Sequence, residues 1–533
     1  MPRQRSPSGE VFPRRVPHAH AAEAASHGSW RRLALAALLP LSLSVLLFLS
    51  GAPLGKPGKL VYPYSPIFAY RLLAAIYTLP LALLLSCAIA LLGRCEQWRR
   101  RLGAALIPVG VAGIVLWVYL APPQYSYQHF FNMNSPAQDG AFLLEADEVR
   151  RVGLPAYLAG FAQRAARPPQ ELQGTRILSN PPGATVLAYG VTRMVDARPA
   201  LASWLARTAP HEELPPDILR LSAHAFGYAM TLTLLWGLAA PFLYLAARAV
   251  LPTVPSAAFA VCTLISPMAL LFTPGKDPAQ LLSVALPLCL WLWADKRKSW
   301  TMACLAGAAF VMACVVGLVH VWVGLIVAAA TVLSRASSPT RAPWLRLGLL
   351  ITTAGLTLAG LRLFLGFDLL SATLAVARAQ AQVTRGPEAM PFIWQALGLP
   401  LFLLFAGPAL WWGLLSLTGE HVHDPDARFG CWLLIGSALV MLTTVGYTNM
   451  ETPRLWIPFT PTLLLGALLQ LRALRTPDRA LTRFLAGLIF VQVVVAATQW
   501  GLMDMRETEH RLLADETGTA PLWFSPPDLE SNR

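Results

Sequence analysis

LALAALLPLSLSVLLFL, residues 33–49, carries no charge and only two hydroxyls. Its length is within reach of the ~20 residues that cross the hydrocarbon core of a bilayer. AIYTLPLALLLSCAIALLG (75–93), LIPVGVAGIVLWVYL (106–120), MTLTLLWGLAAPFLYLAA (230–247), LPLFLLFAGPALWWGLLSL (399–417) and FLAGLIFVQVVVAATQWGL (484–502) repeat the pattern to the end of the chain. A backbone in hydrocarbon must satisfy its own hydrogen bonds, so each run is expected to be a helix. The chain reads as an all-α polytopic membrane protein.

Composition agrees. Of 533 residues, 55% are hydrophobic and 13% charged, against roughly a quarter charged in a soluble domain. The net charge of +14 sits mostly in short loops between apolar runs, where it sets orientation, so nucleic acid is not an expected partner. The basic start (Arg3, Arg5, Arg14, Arg15, Arg31, Arg32) ahead of the first run resembles a signal anchor. Six of the seven cysteines fall in or beside apolar runs and only Cys95 lies in a polar loop, which gives no disulfide framework or metal spacing.

Basic loops at 93–103, 294–300, 334–346 and 472–483 mark the expected cytoplasmic face. Threading helices between them predicts about thirteen spans, near 33–50, 71–92, 103–120, 222–247, 255–272, 278–294, 302–317, 319–334, 346–365, 397–418, 429–446, 455–473 and 484–502. The stretch 183–206, interrupted by Arg193 and Asp196, is expected to form a re-entrant or interfacial hairpin. The organisation is then a basic cytoplasmic tail (1–32), a transmembrane domain (33–502) with a large outer loop (121–221), and a C-terminal tail (503–533). The bend at 273–277 and the loop at 447–454 fall on the same outer face of a cell membrane.

An ionisable group at mid-membrane costs at least ~2.5 kcal/mol, so the few that persist need work or a partner. FFNMNSPAQDGAFLLEADEVRR (130–151) gathers Asp139, Glu145, Asp147 and Glu148, whereas the preceding 129 residues hold only Glu10, Glu23 and Glu96. Asp139 precedes an amphipathic helix expected to lie on the membrane surface, and is either its N-cap or an acid presented at the boundary. Glu145, Asp147 and Glu148 read as a solvated face or as partners of Arg150 and Arg151. In NPPGATVLAYG (180–190), Pro181 and Pro182 fix a rigid entry into a helix, leaving Asn180 as cap or ligand contact. In TPGKDP (273–278), Lys276 and Asp277 either form an ion pair in a tight turn or help a helix N-terminus hold a phosphate. Glu451 and Arg454 share a helix face and can pair, while an arginine there can also fork onto a lipid phosphate. His320, in CVVGLVHVWVG (314–324), reads as a satisfied core histidine. No P-loop, dinucleotide fingerprint, nucleophile elbow or zinc motif appears in context.

The order of these features resembles the GT-C superfamily of integral-membrane glycosyltransferases, which includes protein O-mannosyltransferases and aminoarabinose transferases. An acid in a large outer loop is followed by a Pro-Pro turn and a Pro-x-x-Asp turn, then by Glu451, Arg454, Trp456 and Pro458, over about residues 100–475. The resemblance implies inverting transfer of a sugar from a polyprenyl-phosphate donor to an acceptor glycan, lipid or protein at the extracytoplasmic face. Asp139 becomes the catalytic carboxylate, and Gln138, Asn180, Lys276, Asp277, Glu451 and Arg454 the substrate-binding set. Asn180 to Gly183 take the place of a His-Pro-Pro-type turn. Where family members often carry paired acids this chain has Gln138 and Asp139, which leaves a divalent cation open, and the acid-bearing loop, which in the family usually follows the first span, here has two further spans ahead of it. Acceptor choice is expected in 146–221 and in 366–396, where VARAQAQVTRGPEAM (376–390) reads as a loop that closes over substrates.

Three other classes compete. A transporter or flippase would place charge on a path through the membrane, but the charged motifs here cluster at one surface and no inverted repeat is evident. A polysaccharide polymerase or ligase would share the many spans and large loop. An assembly protein would carry these charges only as solvated groups.

Overall fold

Apolar runs become helices wherever the bilayer removes every other partner for the backbone, and turn residues decide where each helix stops. A computed structural model describes residues 18–52, 54–56, 60–62, 64, 68–120, 139–167, 175–178, 180–208, 216–335, 342–385, 392–417, 424–448, 451–471 and 479–503. Gln138 lies outside these residues, as do most of the basic N-terminal tail and the C-terminal tail beyond Met503.

The chain opens with α1 (His18–Ser50) and a short antiparallel ribbon, β1 (Leu54–Lys56) and β2 (Leu60–Tyr62). It continues through α2 (Phe68–Ile76), α3 (Leu79–Leu92) and α4 (Gln97–Leu120). The large loop carries α5 (Gly140–Val152), α6 (Leu154–Ala165), the single turn α7 (Thr175–Leu178), α8 (Gly183–Asp196) and α9 (Pro199–Thr208). Next come α10 (Pro216–Val250), α11 (Thr253–Leu264), α12 (Pro267–Leu271), α13 (Lys276–Arg297), α14 (Trp300–Val316), α15 (Val319–Arg335), α16 (Ala342–Leu365) and α17 (Leu369–Arg385). The last part holds α18 (Phe392–Ala396), α19 (Gly398–Phe405), α20 (Pro408–Leu415), α21 (Pro425–Thr444), α22 (Thr452–Leu455), α23 (Thr460–Leu469) and α24 (Arg479–Leu502).

The described residues of the thirteen expected spans are mostly helical, but not all of these helices have the length to cross alone. Among the described residues nine helices are long and apolar enough for a membrane, or ten if α19 and α20, bent by 106° at their junction, count as one broken span. The apolar helices α14, α15 and Ile457–Leu469 are shorter. The stretch 183–206 becomes α8 and α9, two helices that do not pass as spans. Residues 376–385, read as loop, are instead the second half of α17, which packs on α6.

α11 and α12 lie wholly inside the bundle, whereas the apolar window of α16 buries none of its residues. Interior helix breaks need polar partners, and Gln492 on α24 supplies them. Its amide donates to the carbonyls of Cys262 and Ile265, at 3.3 and 3.0 Å, and accepts from the Ala409 amide at 3.0 Å. Gly407, at φ +87°, makes the second of these breaks, where a side chain would be strained and would meet Pro267.

The helix ends sort into two polar faces. At one, Asp295 near the end of α13 receives Arg335 from the end of α15 at 2.5 Å and Arg346 from the start of α16 at 2.8 Å. Lys298, the αL residue that ends α13, and the Ser299 cap of α14 make the tight return there. At the other face, about 27 Å away along α13 at 1.5 Å per residue, Lys276 meets Asp139 of the large loop and Asp277 meets Arg454 of 451–454.

Candidate active site

The site is built on the N-terminus of α13. Ser266 caps α12, the chain turns through Thr273–Pro274, and α13 then starts with free amides pointing back at the loop. A Cβ on Gly275 would stand 2.5 Å from the carbonyl oxygen of Phe272, so the tight turn that brings the start of α13 to Asp139 leaves no space for a side chain.

That carboxylate is Asp139. It sits at the N-cap position of α5 yet makes no capping hydrogen bond. Instead, buried, it accepts from the backbone amide of Lys276 at 2.7 Å and from Arg176 Nη1 at 2.9 Å. An anion at a helix N-terminus is favoured by the free amides and the helix dipole. The anion that occupies the start of α13 is thus the chain's own acid.

The network continues around Asp277. Lys276 Nζ donates to Asp277 Oδ1 at 2.6 Å, and Gln280, one turn along α13, donates to the same oxygen at 3.1 Å. Arg454 Nε pairs with Asp277 Oδ2 at 3.4 Å, and its Nη2 holds Glu451 at 2.6 Å. Tyr228 of α10, fully buried, lies within electrostatic reach of Asp139, Arg176 and Asp277. Asp139, Lys276, Asp277, Glu451 and Arg454 therefore share one cluster. Of the two readings of Lys276 and Asp277, the ion pair in a tight turn is the one present here.

Asn180 stands behind the cluster. It donates to the carbonyl of Arg176 at 2.8 Å and so anchors the turn from which that arginine reaches Asp139. Pro181 and Pro182 then lead directly into α8. His320 is satisfied, with Gly317 O at 2.9 Å from Nδ1 and Ser283 Oγ at 2.6 Å from Nε2.

The other acids of 130–151 separate. Asp147 is solvent-facing near Arg150 and Glu148 is bonded to Arg151, but Glu145 is not part of a solvated face. It is buried on the side of α5 that carries Phe142 and Val149, and both its oxygens are gripped by Arg164 of α6. Glu148 accepts from Arg151, and that hydrogen bond holds its carboxyl below the usual range against the opposing effect of burial, with Arg164 adding to the pull.

Arg176, Gln280 and Tyr228 escaped the sequence reading. Gln280 follows Asp277 by three residues in a helix and was legible on that spacing; Arg176 is one of many loop arginines and carries no local signal. Among the described residues no three His, Cys, Asp or Glu side chains converge as metal ligands. Asp139 and Asp277 are engaged by cations and amides of the chain itself, so among the described residues the divalent cation left open by the sequence has no ready-made ligand set in this region.

Comparisons with family models, with curated proteins and with solved structures yield no match.

Proposed function

We propose that the chain is a membrane glycosyltransferase that moves a sugar from a polyprenyl-phosphate donor to an acceptor hydroxyl, with inversion, at the extracytoplasmic face. The observation that carries this reading is the buried Asp139 carboxylate on the Lys276 amide, in a cluster where Arg176, Lys276 and Arg454 face Asp139, Asp277 and Glu451.

The chemistry needs a base and cations. The acceptor oxygen attacks the anomeric carbon, the bond from that carbon to the phosphate oxygen breaks, and its electron pair leaves with polyprenyl phosphate. The acceptor proton passes to Asp139, whose oxygens each keep a second lone pair beside the bonds they accept. Three cations and three acids balance at rest. When Asp139 takes the proton, the cluster gains one positive charge as the departing phosphate gains one negative charge. Cations placed where that charge develops lower the barrier most.

The thirteen-pass topology belongs to this reading. Its support is that α14, α15 and Ile457–Leu469, though short, lie between the same two polar faces as α13, with His320 near one and Arg335 at the other. The basic face is then cytoplasmic.

The bent pair α19–α20 favours one rival, because broken helices line substrate paths in transporters. A single assay separates the two. Membranes containing Asp139→Asn, supplied with a labelled polyprenyl-phosphate sugar, are expected to lose at least ~10²-fold in transfer while the protein stays inserted. Unchanged transfer removes Asp139 from the reaction, and solute uptake into vesicles with no covalent product supports the transporter.

A further inference from the structure

The face opposite Asp139 holds a cavity of about 230 Å³ at the meeting of α10, α13, α15 and α21. It does not depend on the reading of the Asp139 cluster. Lys296 and Arg335 line it, together with Asp295 and Asp426. Asp295 is taken up by Arg335 and by the buried Arg346. Lys296 gives one bond to the carbonyl of Arg248, at 2.9 Å. A lysine has three N–H donors and a guanidinium five, so both lining cations have capacity for an oxyanion.

The surroundings add field of the same sign. Arg248 and Arg297 act on Lys296 with like charge, and Asp426 opposes them. Lys296, Arg335, Arg346, Arg248 and Arg297 together outnumber Asp295, Asp426 and the helix-capping Asp424. The cavity thus favours an anion over an amine.

Apart from the hydroxyls of Thr331 and Ser334, its remaining wall is apolar, with Val250, Leu292 and Phe429 among its residues. Exposed Trp300 and Trp344 start α14 and α16 at this same face, as tryptophans do at headgroup depth. A charged half beside an apolar half at that depth matches a lipid, with its phosphate and its chains.

We propose that this cavity binds the phosphate of an anionic phospholipid, held by Lys296 and Arg335, with the acyl chains against Val250, Leu292 and Phe429. The purified full chain in neutral detergent is the test object. Phosphatidylglycerol at saturation should raise its unfolding temperature by roughly 3 °C or more, while phosphatidylcholine and inorganic phosphate should not. Ala249→Phe fills the cavity and leaves every charge in place; Lys296→Gln removes a donor without touching the pairs of Asp295. Each is expected to abolish the phosphatidylglycerol-dependent rise. Should Ala249→Phe fail to fold, Lys296→Gln decides. A full rise retained in a folded variant overturns the site, and an equal rise from inorganic phosphate overturns the lipid.

Discussion

Asp139 occupies a capping position without capping, because a better donor set exists elsewhere: Arg176 and an amide 137 residues on. Removing one partner of a buried ion pair strands the other in a poor solvent, at a cost of about 3–5 kcal/mol. Arg176→Gln is therefore expected to lower the unfolding temperature in detergent markedly. The same change in an Asp139→Asn background should cost much less, since no carboxylate is left to strand; additive losses would mean that the two side chains do not act as a pair. The residues of the cluster were legible to unequal degrees. Asp139 stood out at the head of an acid cluster that follows a long acid-poor stretch, and Lys276, Asp277, Glu451 and Arg454 as charges set between apolar runs. Glu145 was misread although the signal was present: spacing from Phe142 and to Val149 puts it on the apolar side of α5, and Arg164 supplies the partner that burial demands.

At the scale of elements, the apolar runs gave the helices, and Pro, Gly and capping residues gave most of their ends. Partners across the bundle were not legible, because a run such as FVQVVVAATQW (490–500) announces a polar Gln492 without saying which backbone it meets. The structure gives it three groups at two helix breaks, Cys262 O, Ile265 O and Ala409 N. Each buried group left without a partner costs ~1–3 kcal/mol. Gln492→Leu, similar in size and better matched to hydrocarbon, should nevertheless destabilise the protein by roughly 3 kcal/mol or more, read as a loss of thermal stability in detergent. A stability at or above the parent would show that water or neighbouring side chains satisfy those groups instead. Length also explains why, among the described residues, the thirteen expected spans yield only nine or ten helices long and apolar enough to cross alone. Turns that build the faces trim α14, α15 and Ile457–Leu469, which then rely on packing: α14 lies against α13 and α16, and α15 against α21.

For the whole molecule, the decisive property is that its two polar faces sit at opposite ends of α13, separated by about 27 Å, close to the ~30 Å of a bilayer core. The Asp295 group and the Asp139 group should therefore meet different aqueous compartments. This geometry can be tested without any assumption about catalysis. Cys95, exposed in the turn between α3 and α4, belongs to the basic face, because Gly93 abuts Thr482 near the start of α24. Leu370, exposed at the start of α17, follows the end of α16 at the other face. In a chain stripped of its remaining cysteines, a membrane-impermeant maleimide should modify Cys95 only in inside-out vesicles. With Cys95 also removed, Leu370→Cys should react only in right-side-out ones. If both positions react from the same side, α13 does not cross the bilayer, and the Asp139 cluster and the Lys296 cavity share one compartment.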